Sequence, residues 1–280
     1  MTYHKAKLML VSYAQNHEDL NLLVFLHGVK KGFYVDVGAN HAELHSVTKL
    51  FYDKGWSGIN VEPIASLHAE LAAARPRDIN LNIGVGKKAG ELKLREYPQH
   101  DGLSTMDPAI MKLHRGLPRK DYVVPVKPLR DIFAEHNVTH IDFLKVDVEG
   151  LEYDVLASND WERWTPTIVV VEAASSSWHS LLAKYGYSEV FFDGLNRYFL
   201  HKSAEGPTID DYPAVLLVNG YMGAREVRKV QEISDLQKRL KATAKLQKDW
   251  DLLHQRPEQF LGIKALTKAL YGRIKVRLGR

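Results

Sequence analysis

The feature that most constrains this chain is an alternation. Short apolar runs at 33–37, 58–62, 79–85, 143–148 and 167–172 are separated by stretches with helical periodicity. Strands that alternate with helices predict a mostly parallel sheet with crossover helices packed on it. Two final runs, 187–192 and 197–201, are joined only by a short segment containing Asp193-Gly194. A parallel crossover needs a dozen or more residues, so this last pair is predicted antiparallel. Asn16 is expected to cap a first helix with Leu20, Leu23, Val24 and Leu26 on its apolar face, stopping at Gly28. Further helices are expected at 46–54, 63–74, 129–136 and 177–185, with 90–127 irregular apart from a hairpin and a polar loop. The α/β text runs to about residue 205; 206–224 reads as a linker and 225–280 as a charged helical tail.

Charge divides the chain at the same place. Residues 225–280 carry 15 Lys and Arg against 6 Asp and Glu, whereas residues 1–224 carry 23 against 28. The attraction for anions therefore sits at one end of an acidic body, which counts against the body binding nucleic acid. The 280 residues contain no cysteine, which excludes disulfides, thiol catalysis and Cys-ligated zinc. No apolar run reaches the roughly 20 residues of a membrane span, and the N-terminal apolar segment is short for a secretory signal. The expectation is a soluble protein of the cytoplasm.

Within the tail, Val227, Val230, Ile233, Leu236, Leu240, Leu246, Trp250 and Leu253 form a narrow seam suited to oligomerisation through 227–253. Residues 259–280 hold six basic residues and no acidic one beside an apolar face of Phe260, Ile263, Leu266, Leu270 and Ile274. That pattern suits attachment to an anionic membrane, here the inner face; packing on its own domain and nucleic-acid binding are the alternatives.

The chemistry is expected at the carboxyl ends of the strands, where ligands bind in open parallel sheets. Asp36, Gly38 and Asn40 follow the first core strand in Asp36-Val37-Gly38-Ala39-Asn40-His41. This loop has one glycine and an acid, so it lacks the glycine-rich cradle for pyrophosphate and favours a ligand with positive charge. Glu62 ends the next strand, where an acidic residue accepts hydrogen bonds from ribose hydroxyls. Leu144-Lys145-Val146-Asp147-Val148-Glu149-Gly150 places three ionisable groups on one face of a predicted central strand, and Glu172 ends the strand after it. Burying them is costly unless they are paired, metal-bound or open to a cleft. Asp147, Glu149 and Glu172 are therefore expected to share one mouth, able to deprotonate a hydroxyl or to hold a divalent cation. His41 and His179 are candidates to touch substrate. His41 and His45 are four apart, but Glu43 is out of place for a zinc-protease helix. Nucleophile-elbow, Walker and kinase signatures are absent.

These segments resemble a known family. The stretch Ser12-Tyr13-Ala14-Gln15-Asn16-His17-Glu18-Asp19-Leu20, the run from Gly32 through Pro63, and Leu144-Lys145-Val146-Asp147-Val148-Glu149-Gly150-Leu151-Glu152-Tyr153-Asp154-Val155-Leu156 resemble the FkbM family of S-adenosylmethionine-dependent methyltransferases over residues 11–200. The resemblance implies a seven-stranded, Rossmann-like class I methyltransferase fold with an antiparallel last strand, and methylation of an oxygen, often on a sugar or natural product. It implies that Asp36, Gly38 and Asn40 line the methionine part of the cofactor and that Glu62 binds its ribose. It further implies that Tyr13 and Gln15 belong to a cofactor-covering loop and that Ser104 lies near cofactor or acceptor. Ala42 departs from the glycine of many relatives. The catalytic base is not inherited from the resemblance.

Three function classes follow: an O-methyltransferase of a glycan or glycolipid of the envelope-polysaccharide type, a methyltransferase of a natural product or nucleic acid, and a silent interaction module. The lack of an Asn/Asp-Pro-Pro-Tyr motif counts against nucleic acid, and the intact Asp36, Glu62 and Asp147 count against silence.

Overall fold

The computed structural model describes residues 10–100, 102–173, 177–204 and 221–223, all within the unit 1–224. The expectations for the tail, including the surfaces at 227–253 and 259–280, lie outside the described residues.

A seven-stranded sheet forms the body. Its strands are β2 (Phe33–Val37), β3 (Ser57–Val61), β4 (Ile79–Leu81), β8 (Phe143–Val146), β9 (Ile168–Glu172), β10 (Tyr187–Phe192) and β11 (Asn196–His201). Their spatial order is β10-β11-β9-β8-β2-β3-β4. β2, β3, β4, β8 and β9 are parallel, while β11 runs antiparallel to both β9 and β10. Apolar side chains line both faces of the central strands: Val35, Leu144 and Val169 on one face and Tyr34, Phe143 and Ile168 on the other are all 0% exposed. Burial of each such side chain stabilises the fold by about 1.5–3 kcal/mol relative to exposure. From β2 the chain winds outward to β3 and β4, then returns to β8 on the other side of β2. The crevice between the carboxyl ends of β2 and β8 is thus the topological switch point.

The helices follow the expected order: α1 (Glu18–Phe25), α2 (Lys49–Asp53), α3 (Ala65–Ala74), α5 (Leu129–Glu135), α6 (Glu152–Leu156) and α7 (His179–Lys184), with α4 (Pro108–Leu113) between β6 (Gly90–Glu96) and β7 (Lys120–Lys127). Four expectations need correction. Asn16 is not the cap of α1; His17 is, in a left-handed conformation, and Asn16 instead donates its backbone N–H to Glu18 and its side-chain amide to the Asp193 carbonyl. The predicted strand 79–85 is two strands, because the Asn82 amide turns to the Glu62 and Pro63 carbonyls and breaks the ladder. Its second half, β5 (Gly84–Val85), joins β7 and β6 in a separate three-stranded sheet. The hairpin expected within 90–127 is there as β6 and β7, but the stretch is less irregular than expected, because the loop between them carries α4. The strand 143–148 ends at Val146, since Glu149 and Gly150 have positive φ and turn the chain away.

β1 (Leu10–Ser12) pairs in parallel with β12 (Tyr221–Gly223) and leads directly into the segment that reaches the crevice. Among the described residues no helix is long and apolar enough to cross a membrane.

Candidate active site

A cleft of roughly 370 Å³ opens at the switch point. Its floor is set by how closely β2 and β8 approach. The Asp147 N–H donates to the Val37 carbonyl at 3.0 Å, and the next residue, Gly38, has φ 81°. A Cβ at Gly38 would overlap the Asp147 carbonyl, so only glycine fits there. Asn40 also has positive φ; its N–H donates to Glu62 Oε2 at 2.9 Å, while the Ile64 N–H donates to Glu62 Oε1 at 2.8 Å. Glu62 is thus fixed at the wall of the cleft, and burial pushes its carboxyl up to about 7.

The loop that forms this wall is gripped from below. Arg75, 1% exposed, donates to the Ala42 carbonyl, to Ser46 Oγ and to Thr48 Oγ1, and Thr48 donates to Asp36 Oδ2 at 3.0 Å. Glu70 of α3 accepts from the Ala42 N–H at 3.1 Å and contacts His41 Nδ1 at 3.3 Å. Residues 41–45 are not helical, so the His41/His45 spacing is not a helical metal pair, although both residues line the cleft.

Asp147, Glu149 and Glu172 converge on the mouth as expected. One carboxylate oxygen from each lies within 4.8 Å of the others, a spacing that could hold a divalent cation. Burial, then the charges of Asp147 and Glu152, pushes Glu149 up to about 7. Burial, then Asp147, Glu149 and Glu152, raises Glu172 to about 8. These two groups exchange protons near neutrality, which suits acid–base work. Convergence is reached by a different route from the predicted strand alternation: Glu149 arrives through the left-handed turn after β8.

Lys145 lies beneath them, donating to the Gly38 carbonyl at 3.2 Å and pairing with Asp147 at 3.2 Å and Asp36 at 3.4 Å. Burial pulls its pKa down, but Asp36 and Asp147 outweigh it and hold the ammonium above the usual lysine range.

Gln15, Gly38, Asn40, Glu62, Ser104 and His41 all line the cleft with the three acids. Three of the expected site residues do not line this cleft. Asp36 is 1% exposed and faces Lys145 and Thr48 below the floor, because the pleat of β2 turns it inward. The Tyr13 ring lies against the Lys49 ammonium, 5.0 Å from its centroid. His179 stacks on Trp178 and contacts Glu189 at 3.1 Å, away from the cleft. Sequence reasoning missed Glu96 and Tyr97, which the β6–β7 insertion brings to the cleft, and the Arg75 clamp. A lone arginine at a helix end carries no local signature of burial. The hairpin itself is expected from the sequence within 90–127; the alternation at 90–96 marks its first arm, which brings Glu96 and Tyr97 to the cleft.

Over residues 36–189, just over half of the chain, the sequence matches the methyltransferase FkbM domain. A curated relative, Methyltransferase 1 of Beauveria bassiana (strain ARSEF 2860), is 35% identical over 117 residues, covering 36% of this chain and 46% of the relative. The chain therefore spans under half the length of that relative.

Proposed function

The chain belongs to the methyltransferase FkbM family, and from that premise we propose that it is an S-adenosylmethionine-dependent O-methyltransferase with a class I, Rossmann-like domain. Its acceptor, in this reading, is a sugar hydroxyl of a glycan or glycolipid. The observation that carries the reading is the meeting of Glu62 with the Asp147, Glu149 and Glu172 carboxylates in one cleft at the switch point.

The donor set fits a cationic nucleoside better than a pyrophosphate. Asn40 Oδ1 is buried with no hydrogen-bond partner among the described residues, so an ammonium group there would satisfy it. Glu62 would hold ribose hydroxyls, with Asn40, Gly38 and Gln15 around the amino-acid portion. The bound donor supplies a methyl group on a positively charged sulfur. The carboxylates lining the cleft would favour that charge, and the cleft walls would align an acceptor oxygen with the methyl group. Glu172 or Glu149 would accept the hydroxyl proton as the O–C bond forms and the donor's S–C bond breaks, leaving the donor as a neutral thioether. A divalent cation on the same three acids would instead lower the hydroxyl's pKa; full activity in chelator assigns the proton to the carboxylates alone.

The acceptor reading is tested by mass spectrometry of oligosaccharides incubated with the full chain and methyl-labelled donor. Labelled sugar methyl ethers are expected. Label on a natural-product hydroxyl, with every sugar unmodified, would replace the acceptor class. We also assign residues 259–280 to an anionic membrane at the cytoplasmic face and 227–253 to self-association. Deleting 225–280 is expected to lower vesicle binding and oligomer mass, and unchanged values of both would refute these assignments.

A further inference from the structure

The insertion between β6 and β7 carries a surface that the methyl-transfer reading does not use. Leu113, 72% exposed, and Val123, 68% exposed, are the two most exposed large apolar side chains among the described residues, and both lie on it. Single exposed apolar residues are ordinary on soluble proteins. Here, however, Lys112, Arg115, Arg119 and Lys120 flank Leu113 in the sequence, and no acidic residue stands between Asp107 and Asp121. All four cations are exposed, and no described carboxylate pairs with them. This happens in a body with more acidic than basic residues, so the local charge is not a consequence of overall composition.

The patch is joined to the cleft by rigid contacts. Arg95 forms a two-point ion pair with Asp121 at 2.7 and 3.0 Å and donates to the Met111 carbonyl at 3.2 Å. The Thr105 and Arg95 backbones bond to each other in both directions. The ring of Tyr97, a cleft residue, packs edge-on against His114 at 5.8 Å, beside Leu113.

We propose that Leu113, with the exposed Lys112, Arg115, Arg119 and Lys120 that flank it in the sequence, docks the catalytic domain on an anionic lipid surface. The leucine enters the headgroup boundary while the cations meet lipid phosphates. An anionic lipid layer uses both halves of the patch. A nucleic acid or an acidic polysaccharide would use only the charges and leave the leucine in water. The proposal rests on the glycolipid form of the acceptor reading for its purpose: it would hold the cleft beside a lipid-linked sugar. It is distinct from the basic tail and makes its own prediction.

The test uses the full chain and vesicles of phosphatidylcholine with or without phosphatidylglycerol, with neither methyl donor nor acceptor present. Docking can therefore fail while methyl transfer stands, and the reverse. The parent is expected to sediment with the anionic vesicles only. Arg115→Ala with Lys120→Ala should lower the partition coefficient roughly 30-fold, about fivefold per charge, while methylation of soluble oligosaccharide stays at the parent rate. Because the chain contains no cysteine, Leu113→Cys can carry a single environment-sensitive fluorophore, whose emission should shift to the blue on anionic vesicles. A parent-like partition coefficient in the charge variant, or a fluorophore blind to vesicles, would overturn the proposal. So would a loss confined to polyanion binding with no vesicle binding by the parent.

Discussion

Lys145 and Asp36 meet 3.4 Å apart beneath the floor of the cleft, their side chains 8% and 1% exposed. Asp36 therefore serves the site by fixing Lys145, which in turn holds the Gly38 carbonyl and Asp147. Removing one member of a buried pair strands the other charge and costs about 3–5 kcal/mol. Asp36→Ala is expected to lower the unfolding free energy by that amount in urea titrations. The Asp36→Ala/Lys145→Met double variant should lose clearly less than the sum of the two single losses. Additive losses would show that the pair is not coupled.

The acids at the mouth predict a pH profile. With Glu149 at about 7 and Glu172 at about 8, the proton-accepting form grows as pH rises. Turnover should climb between about pH 6.5 and 8.5 and then level off. Glu172→Gln should cut kcat roughly 10²–10⁴-fold and leave donor affinity within a few-fold of the parent. Parent-like turnover in both Glu172→Gln and Glu149→Gln would remove these groups from the mechanism.

The same groups link stability to pH. Burial raises Glu18 and Glu62 to about 7, as it does Glu149 and, to about 8, Glu172. Between pH 4.5 and 8 the folded chain thus binds more protons than the unfolded chain. The stability these groups confer is complete below about pH 4.5 and is lost as pH rises through 7 to 8. Urea unfolding at constant ionic strength should give a larger free energy at pH 5.5 than at pH 8.5. The opposite slope would contradict the burial of these carboxyls as protonated groups.

Much of this was legible in the sequence because the signals were periodic. The valine-rich run at Ile168–Glu172 and the short gap at Asp193-Gly194 carry their own geometry, and so does the succession of strands that puts Glu172 on the strand after the one leading to Asp147. What escaped depended on tertiary contact. The burial of Asp36 follows from the pleat of β2 against Thr48 and Lys145. The early end of β8 follows from the left-handed Glu149. The placement of His179 follows from stacking on Trp178. None of these leaves a mark at the residue's own position in the chain.

The central claim is that Glu62 and its neighbours seat a cationic methyl donor. Its most direct test is calorimetric titration of S-adenosylmethionine into the full chain and into Glu62→Gln. The account predicts saturable binding to the parent, weakened roughly 10–100-fold by the substitution, as expected for a lost charge-assisted hydrogen bond. Equal affinity in both proteins, or binding of a dinucleotide pyrophosphate in place of the methyl donor, would contradict it.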